Sequence, residues 1–126
     1  MLRALLGAIA GTVAWFIVAL GLGTVVQKIW PDFAEAIKTN SYTVPIMAAR
    51  LGLSFLGSLL GGILASRISG ERRNAALAMG VIMLVIFVPY HLSAAVWPHF
   101  PLWYHLSFFV SLIVLPLIGA RLVSSR

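Results

Sequence analysis

The chain contains no cysteine and only three acidic residues, Asp32, Glu35 and Glu71. The first absence excludes disulfides, thiolate metal sites, iron–sulfur clusters and cysteine nucleophiles. The second leaves every long apolar run without a carboxylate, so no histidine in those runs has the acidic partner that acid–base catalysis or a mixed metal site ordinarily uses. Charge of either sign is scarce: 10% of the residues are charged against 61% that are hydrophobic, and positions 4–27 and 74–120 carry no charge at all. About 20 apolar helical residues suffice to cross the hydrocarbon of a bilayer. A mean hydropathy of +1.03 over 126 residues is not that of a soluble domain. The chain reads as one all-α integral membrane domain, residues 1–126. It has no fixed-period repeat, low-complexity tract or linker.

The net charge of +6 does not point to nucleic acid, because the basic residues sit at the ends of apolar runs rather than in a patch. The N-terminal segment MLRALLGAIAGTVAWFIVALGLG has the basic start of a secretory signal. Its apolar run far exceeds the usual core of about 7 to 15 residues, and a retained membrane helix is expected.

Four spans are expected, at about 4–26, 44–66, 75–96 and 102–120, forming two antiparallel hairpins. Between the first two, Pro31 suits a first helical turn, with Asp32 and Glu35 near the positive end of the helix dipole. Trp30, Phe33, Ala34 and Ile37 then share a face, with Asp32, Glu35 and Lys38 turned away. This predicts a short helix near 31–39 lying on the membrane surface; an irregular loop anchored by Trp30 is the alternative. Thr43 is a candidate cap for the second span, and the run RISGERR over 67–73 forms a polar turn. Pro98 and Pro101, in the stretch WPHFPLWYHL from Trp97 to Leu106, cannot sit inside one continuous helix, which separates the third span from the fourth.

With both termini cytoplasmic, the inner side holds Arg3, Arg67, Arg72, Arg73, Arg121 and Arg126 against Lys28 and Lys38 outside, as the positive-inside rule prefers. A bacterial inner membrane is the expected location. Trp30, Tyr42, Trp97, Phe100, Trp103 and Tyr104 would then form an aromatic belt at the outer interface.

Helices in lipid associate through close backbone approach rather than by hiding apolar surface from water. The second span carries two adjoining rows of small residues, Gly57, Gly61 and Ala65 beside Ser54, Ser58, Gly62 and Ser66, and the first offers Gly7 and Gly11. The second span is therefore the expected centre of the bundle. The third is apolar on every face and should touch lipid or a partner, either another copy or a larger membrane protein.

One layer has chemical potential. At about 1.5 Å of rise per residue, Arg50, His91 and His105 all fall about 7 to 9 Å outward of the midplane, with Tyr90 beside them. Pro89 and Pro116 would free the carbonyls of Val85 and Leu112, and Gly21 and Gly23 would leave room opposite. A polar pocket lined by Arg50, Tyr90, His91 and His105 is the sharpest expectation. Against it, Arg50 can snorkel to the outer phosphates, and each histidine can be a neutral core residue bonded to a carbonyl. A haem held by His91 and His105, or zinc held by those two with His99, is a weaker possibility, since the spacings match no tight metal motif.

Length and four-helix layout resemble those of small multidrug transporters, which carry a membrane-embedded glutamate in the first helix; positions 4–26 hold no acidic residue. The layout is also similar to that of small fluoride channels, whose polar channel-lining pattern has no counterpart here. A non-enzymatic binding, accessory or assembly subunit without cofactor is the leading expectation. An oligomeric channel or carrier for a small anion or lipid-like substrate using Arg50 comes second, and a haem- or metal-binding redox protein third.

Overall fold

The computed structural model describes residues 1–124. Five α-helices follow in order: α1 (Leu2–Ile29), α2 (Pro31–Thr39), α3 (Val44–Ser69), α4 (Arg72–Leu92) and α5 (Leu102–Ser124), with a 3-10 turn at Trp97–His99. No strand occurs among the described residues. All but α2 are long and apolar enough to cross a membrane.

The helix boundaries have local causes. Pro31 forces Trp30 out of the helical region, to φ −127 and ψ 93, so α1 stops there and α2 starts with proline in its first turn. Asn40 and Gly70 close α2 and α3 in the left-handed conformation, with φ 53 and 72. Thr43 occupies the N-cap position of α3 without a side-chain cap bond. The third span ends at Leu92, not at 96. There the Ser93 hydroxyl donates to the Tyr90 carbonyl at 2.6 Å, and Ser93 turns extended, a local bond that competes with continuing the helix. The fourth continues to Ser124 rather than ending at 120. Arg126, counted above among the inner basic residues, lies outside the described residues.

The apolar face of α2 holds Trp30, Phe33 and Ile37 as expected, with Ala36 in place of Ala34. Phe33 (1% exposed) and Ala36 are its buried positions, and they pack with Ile46 and beside Val26, Ala49 and Leu53, while Asp32, Glu35 and Lys38 are exposed. The helix therefore turns its apolar side onto α1 and α3 of its own chain.

The centre is α3, which contacts α1, α4 and α5. Small residues let it do so. Gly7 lies against Ala65, Gly11 against Gly61, and the Trp15 ring over Gly57, so α1 and α3 meet in opposite senses. On another face, Gly62 lies against the backbone of Pro116, and Gly119 against that of Leu59 and Ile63. Gly80 admits the backbone of α5, since a Cβ there would stand 2.8 Å from the Leu112 carbonyl oxygen. Both small-residue rows of α3 are thus taken up inside the chain. By contrast Gly52 has nothing within 4 Å of an added Cβ. Gly52→Ala is expected to leave the melting temperature in detergent unchanged or raise stability by up to about 1 kcal/mol, through better helix propensity alone.

The N-terminal ammonium pairs with Glu71 at 3.3 Å, which brings the start of α1 beside the α3–α4 turn. Arg72, Arg73 and Arg121 line one groove at that same end.

Candidate functional site

At the other end of the bundle a cavity of about 600 Å³ opens between α1 and α4, backed by α3 and α5 and capped by Phe33 and Ile37 of α2. Its floor is aromatic. Trp15 lies 5.0 Å from Phe87 and 6.4 Å from Phe108, ring centre to ring centre, and Phe87 lies 5.2 Å from Phe108. The Trp15 Nε1–H donates to the Ser58 hydroxyl at 3.1 Å, which pins the floor to α3. Ala19, Leu20 and Gly23 form the wall on α1, and a Cβ at Gly23 would meet only Leu53, at 3.8 Å. Of the two glycines expected to leave room there, Gly23 lines the cavity and Gly21 does not.

Arg50 reaches this cavity from α3. Its Nε–H donates to the Tyr104 hydroxyl at 3.3 Å, and its guanidinium carbon sits 5.1 Å from the centre of the Tyr42 ring and 5.5 Å from that of Phe100. Those rings stack on one another at 4.5 Å, and Phe100 on Tyr104 at 4.2 Å. A cation against aromatic faces is held by the ring quadrupole, so the guanidinium is fixed within an aromatic box rather than extended along the surface. Among the described residues no carboxylate lies within ion-pairing distance of it. Beside it, the Ser54 hydroxyl is buried and has no hydrogen-bond partner.

On α4, His91 lines the cavity, with His105 of α5 behind it. His91 Nδ1 and His105 Nδ1 stand 2.8 Å apart, and His105 Nε2 lies 3.2 Å from the Trp97 carbonyl oxygen. A carbonyl only accepts, so His105 Nε2 carries hydrogen. In a neutral ring its Nδ1 is then an acceptor, which takes the Nδ1–H of His91. His91 Nε2 remains as a bare acceptor on a ring that lines the cavity. The chain from Trp97 through His105 thus fixes the tautomer of His91.

Of the four residues expected in the pocket, Arg50, Tyr90 and His91 line it and His105 does not. His105 is fully buried behind His91, stacked on Trp97 at 4.2 Å. Its place is taken by Tyr104, expected as a belt residue but only 4% exposed. Tyr104, Phe108 and Ser111 recur at helical spacing and are all buried, a stripe that marks the inward face of α5. Tyr42 is likewise drawn in under Arg50. Trp97 and Trp103 stay exposed, and Trp30 is half-buried against Phe33. Trp15, which sequence reasoning passed over, carries its own signal: an interface-preferring residue in mid-span needs a polar partner. Neither Val85 nor Leu112 lines the cavity, so the carbonyls freed by Pro89 and Pro116 add nothing to its polarity.

The histidine pair does not fit a shared metal. Two imidazole ligands at about 2.0–2.1 Å from one ion stand well beyond 2.8 Å from each other. His99 is exposed, and no group of three potential ligands forms among the described residues.

The arrangement defines a class: a bundle of four long apolar helices with an amphipathic cleft, aromatic at its base and cationic at its rim. Comparison of the chain with known protein families, with curated proteins and with solved structures finds no match in any of the three.

Proposed function

We propose that the chain is a small, non-enzymatic binding protein of the bacterial inner membrane that holds an amphiphile with an anionic headgroup in the Arg50 cleft. In this reading the four long helices cross the bilayer as two antiparallel hairpins, both termini are cytoplasmic, and the cleft lies in the outer half of the membrane. The observation that carries it is a cation with no carboxylate near it among the described residues, Arg50, set above an apolar, ring-lined cavity. Ionisable groups at such depth are costly unless they meet a partner or line a wet cavity. An acyl chain suits the floor, an anionic oxygen suits Arg50, and a hydroxyl on the same headgroup suits the acceptor at His91 Nε2. Leu20 on α1 and Ile86 on α4 line the cavity and are also exposed, which favours entry from the side, out of the lipid.

The accessory role expected from the sequence is kept, with its recognition element moved. The small-residue rows of α3 pack on α1 and α5, so they offer a partner nothing. What favours binding over conduction is that beyond Trp15 the helices close on one another at Gly11 and Gly61.

The test uses purified full-length protein in mild detergent and phosphatidic acid, which has both an anionic oxygen and a P–OH. Binding is read by native mass spectrometry. Arg50→Ala is expected to weaken it about 10- to 100-fold, the range of a hydrogen bond to a charged group. Arg50→Lys should recover part of this, because it keeps the charge but loses the Nε–H bond to Tyr104. Equal binding by the alanine variant, or equal binding of diacylglycerol, would overturn the assignment.

A further inference from the structure

Among the described residues, the Ser54 hydroxyl is the one buried side-chain oxygen or nitrogen that makes no hydrogen bond. Ser54 is 5% exposed and lines the cavity. A hydroxyl inside a helix ordinarily donates back to a carbonyl of the preceding turn. Thr12 does so to Ala8, and Ser111 to Phe108, both in buried surroundings. Ser54 does not, so its donor and its acceptor capacity are both unused, at the desolvation cost that an unpaired buried polar group carries.

We infer that Ser54 reads the ester carbonyl of the amphiphile in the Arg50 cleft, which makes the ligand class a fatty-acyl ester rather than an alkyl ether. This depends on the cleft binding an amphiphile through Arg50.

Position selects the group. Ser54 follows Arg50 by four residues, so it lies near the same face of α3, about 6 Å further toward Gly57. There the Trp15 ring covers Gly57, and its N–H is committed to the Ser58 hydroxyl. Ser54 therefore stands at the junction between the cationic rim and the aromatic floor. An esterified lipid carries its carbonyl oxygens at the same junction, between the anionic headgroup and the hydrocarbon chains. A carbonyl oxygen only accepts, and the serine supplies the donor by rotation about its Cα–Cβ bond, with no change of backbone. A lone water is the poorer partner, because it needs several polar neighbours, whereas the floor presents the rings of Trp15, Phe87 and Phe108.

The experiment compares diacyl phosphatidic acid with its dialkyl ether analogue of equal chain length, which lacks only the carbonyl oxygens, on the full-length protein in mild detergent. Native mass spectrometry gives both affinities. The wild type is expected to bind the ester about 5- to 10-fold more tightly, the worth of one neutral hydrogen bond. Ser54→Ala should bring the ratio to one by weakening the ester and leaving the ether unchanged. Its own melting temperature should be no lower than that of the wild type, since the fold loses no bond. Arg50→Ala should weaken both lipids alike and keep the ratio. In the infrared, the ester carbonyl band of the bound lipid should lie at lower frequency on the wild type than on Ser54→Ala. A wild-type ratio of one, with both lipids still dependent on Arg50, would overturn the role of Ser54 and leave the cleft standing. An ester preference that survives Ser54→Ala would do the same. Binding of neither lipid, or binding indifferent to Arg50, would overturn the cleft itself and the role of Ser54 with it.

Discussion

Gly62→Ala is expected to prevent the chain from surviving extraction in folded form, at a cost of about 3 kcal/mol, the upper end of overpacking penalties. The added Cβ would fall on the Pro116 backbone, 2.5 Å from its carbonyl oxygen and 2.8 Å from its carbonyl carbon. A side chain in the way can change rotamer, but a main chain in the way cannot. Relief therefore requires α5 to move off α3, and in lipid that contact is itself what holds the helices together. Size-exclusion profiles after heating in mild detergent would report the effect, with Gly52→Ala as the matched control. A Gly62→Ala protein that melts with the wild type would mean that α3 and α5 do not approach at this point.

Trp15→Ala should be comparably damaging, on the order of 3–5 kcal/mol for removing a packed aromatic side chain. The ring touches Gly57 at 3.0 Å from its would-be Cβ and packs on Phe16, Phe87 and Phe108. Its loss opens the floor of the cleft into the core. Within a bilayer the cost is chiefly lost dispersion contacts, since lipid is as apolar as the ring's surroundings. Trp15→Phe separates the parts. It keeps most of the packing but leaves the fully buried Ser58 hydroxyl without its donor, at about 1 kcal/mol. Thermal unfolding of both variants should rank wild type above phenylalanine above alanine. A phenylalanine variant as unstable as the alanine one would make the indole N–H, rather than the ring, the important element.

Much of the architecture was legible beforehand, because hydrocarbon tolerates only backbone that bonds to itself. Long apolar stretches bounded by basic residues, with the run 74–120 divided at Pro98 and Pro101, give four long helices, and Pro31 gives the start of α2 to the residue. The rows on α3 were readable as packing faces, since close approach in lipid needs small side chains. They were not readable as faces toward α1 and α5, because a GxxxG pattern is the same whether its partner belongs to its own chain or to another. The third span was overextended to 96, since the composition of 93–96 is apolar enough to continue a helix and only the Ser93 hydroxyl bond to Tyr90 shows where it stops.

The candidate site divides along the same line. Depth along a helix follows from residue count and rise, so Arg50, His91 and His105 could be placed in one layer from the sequence alone. Rotation about each helix axis does not follow from it, and rotation decides that Tyr104 faces the cleft while His105 stands behind His91. In lipid no polar face is driven outward, so an apolar helix carries little pattern from which its rotation can be read. Residue order alone dictates that this protein is built of oily helices, how many there are and which charges sit at their ends. Which rings enclose Arg50 and which nitrogen of His91 is left to accept a hydrogen bond depend on contacts between helices far apart in the chain, and so are settled only in the folded bundle.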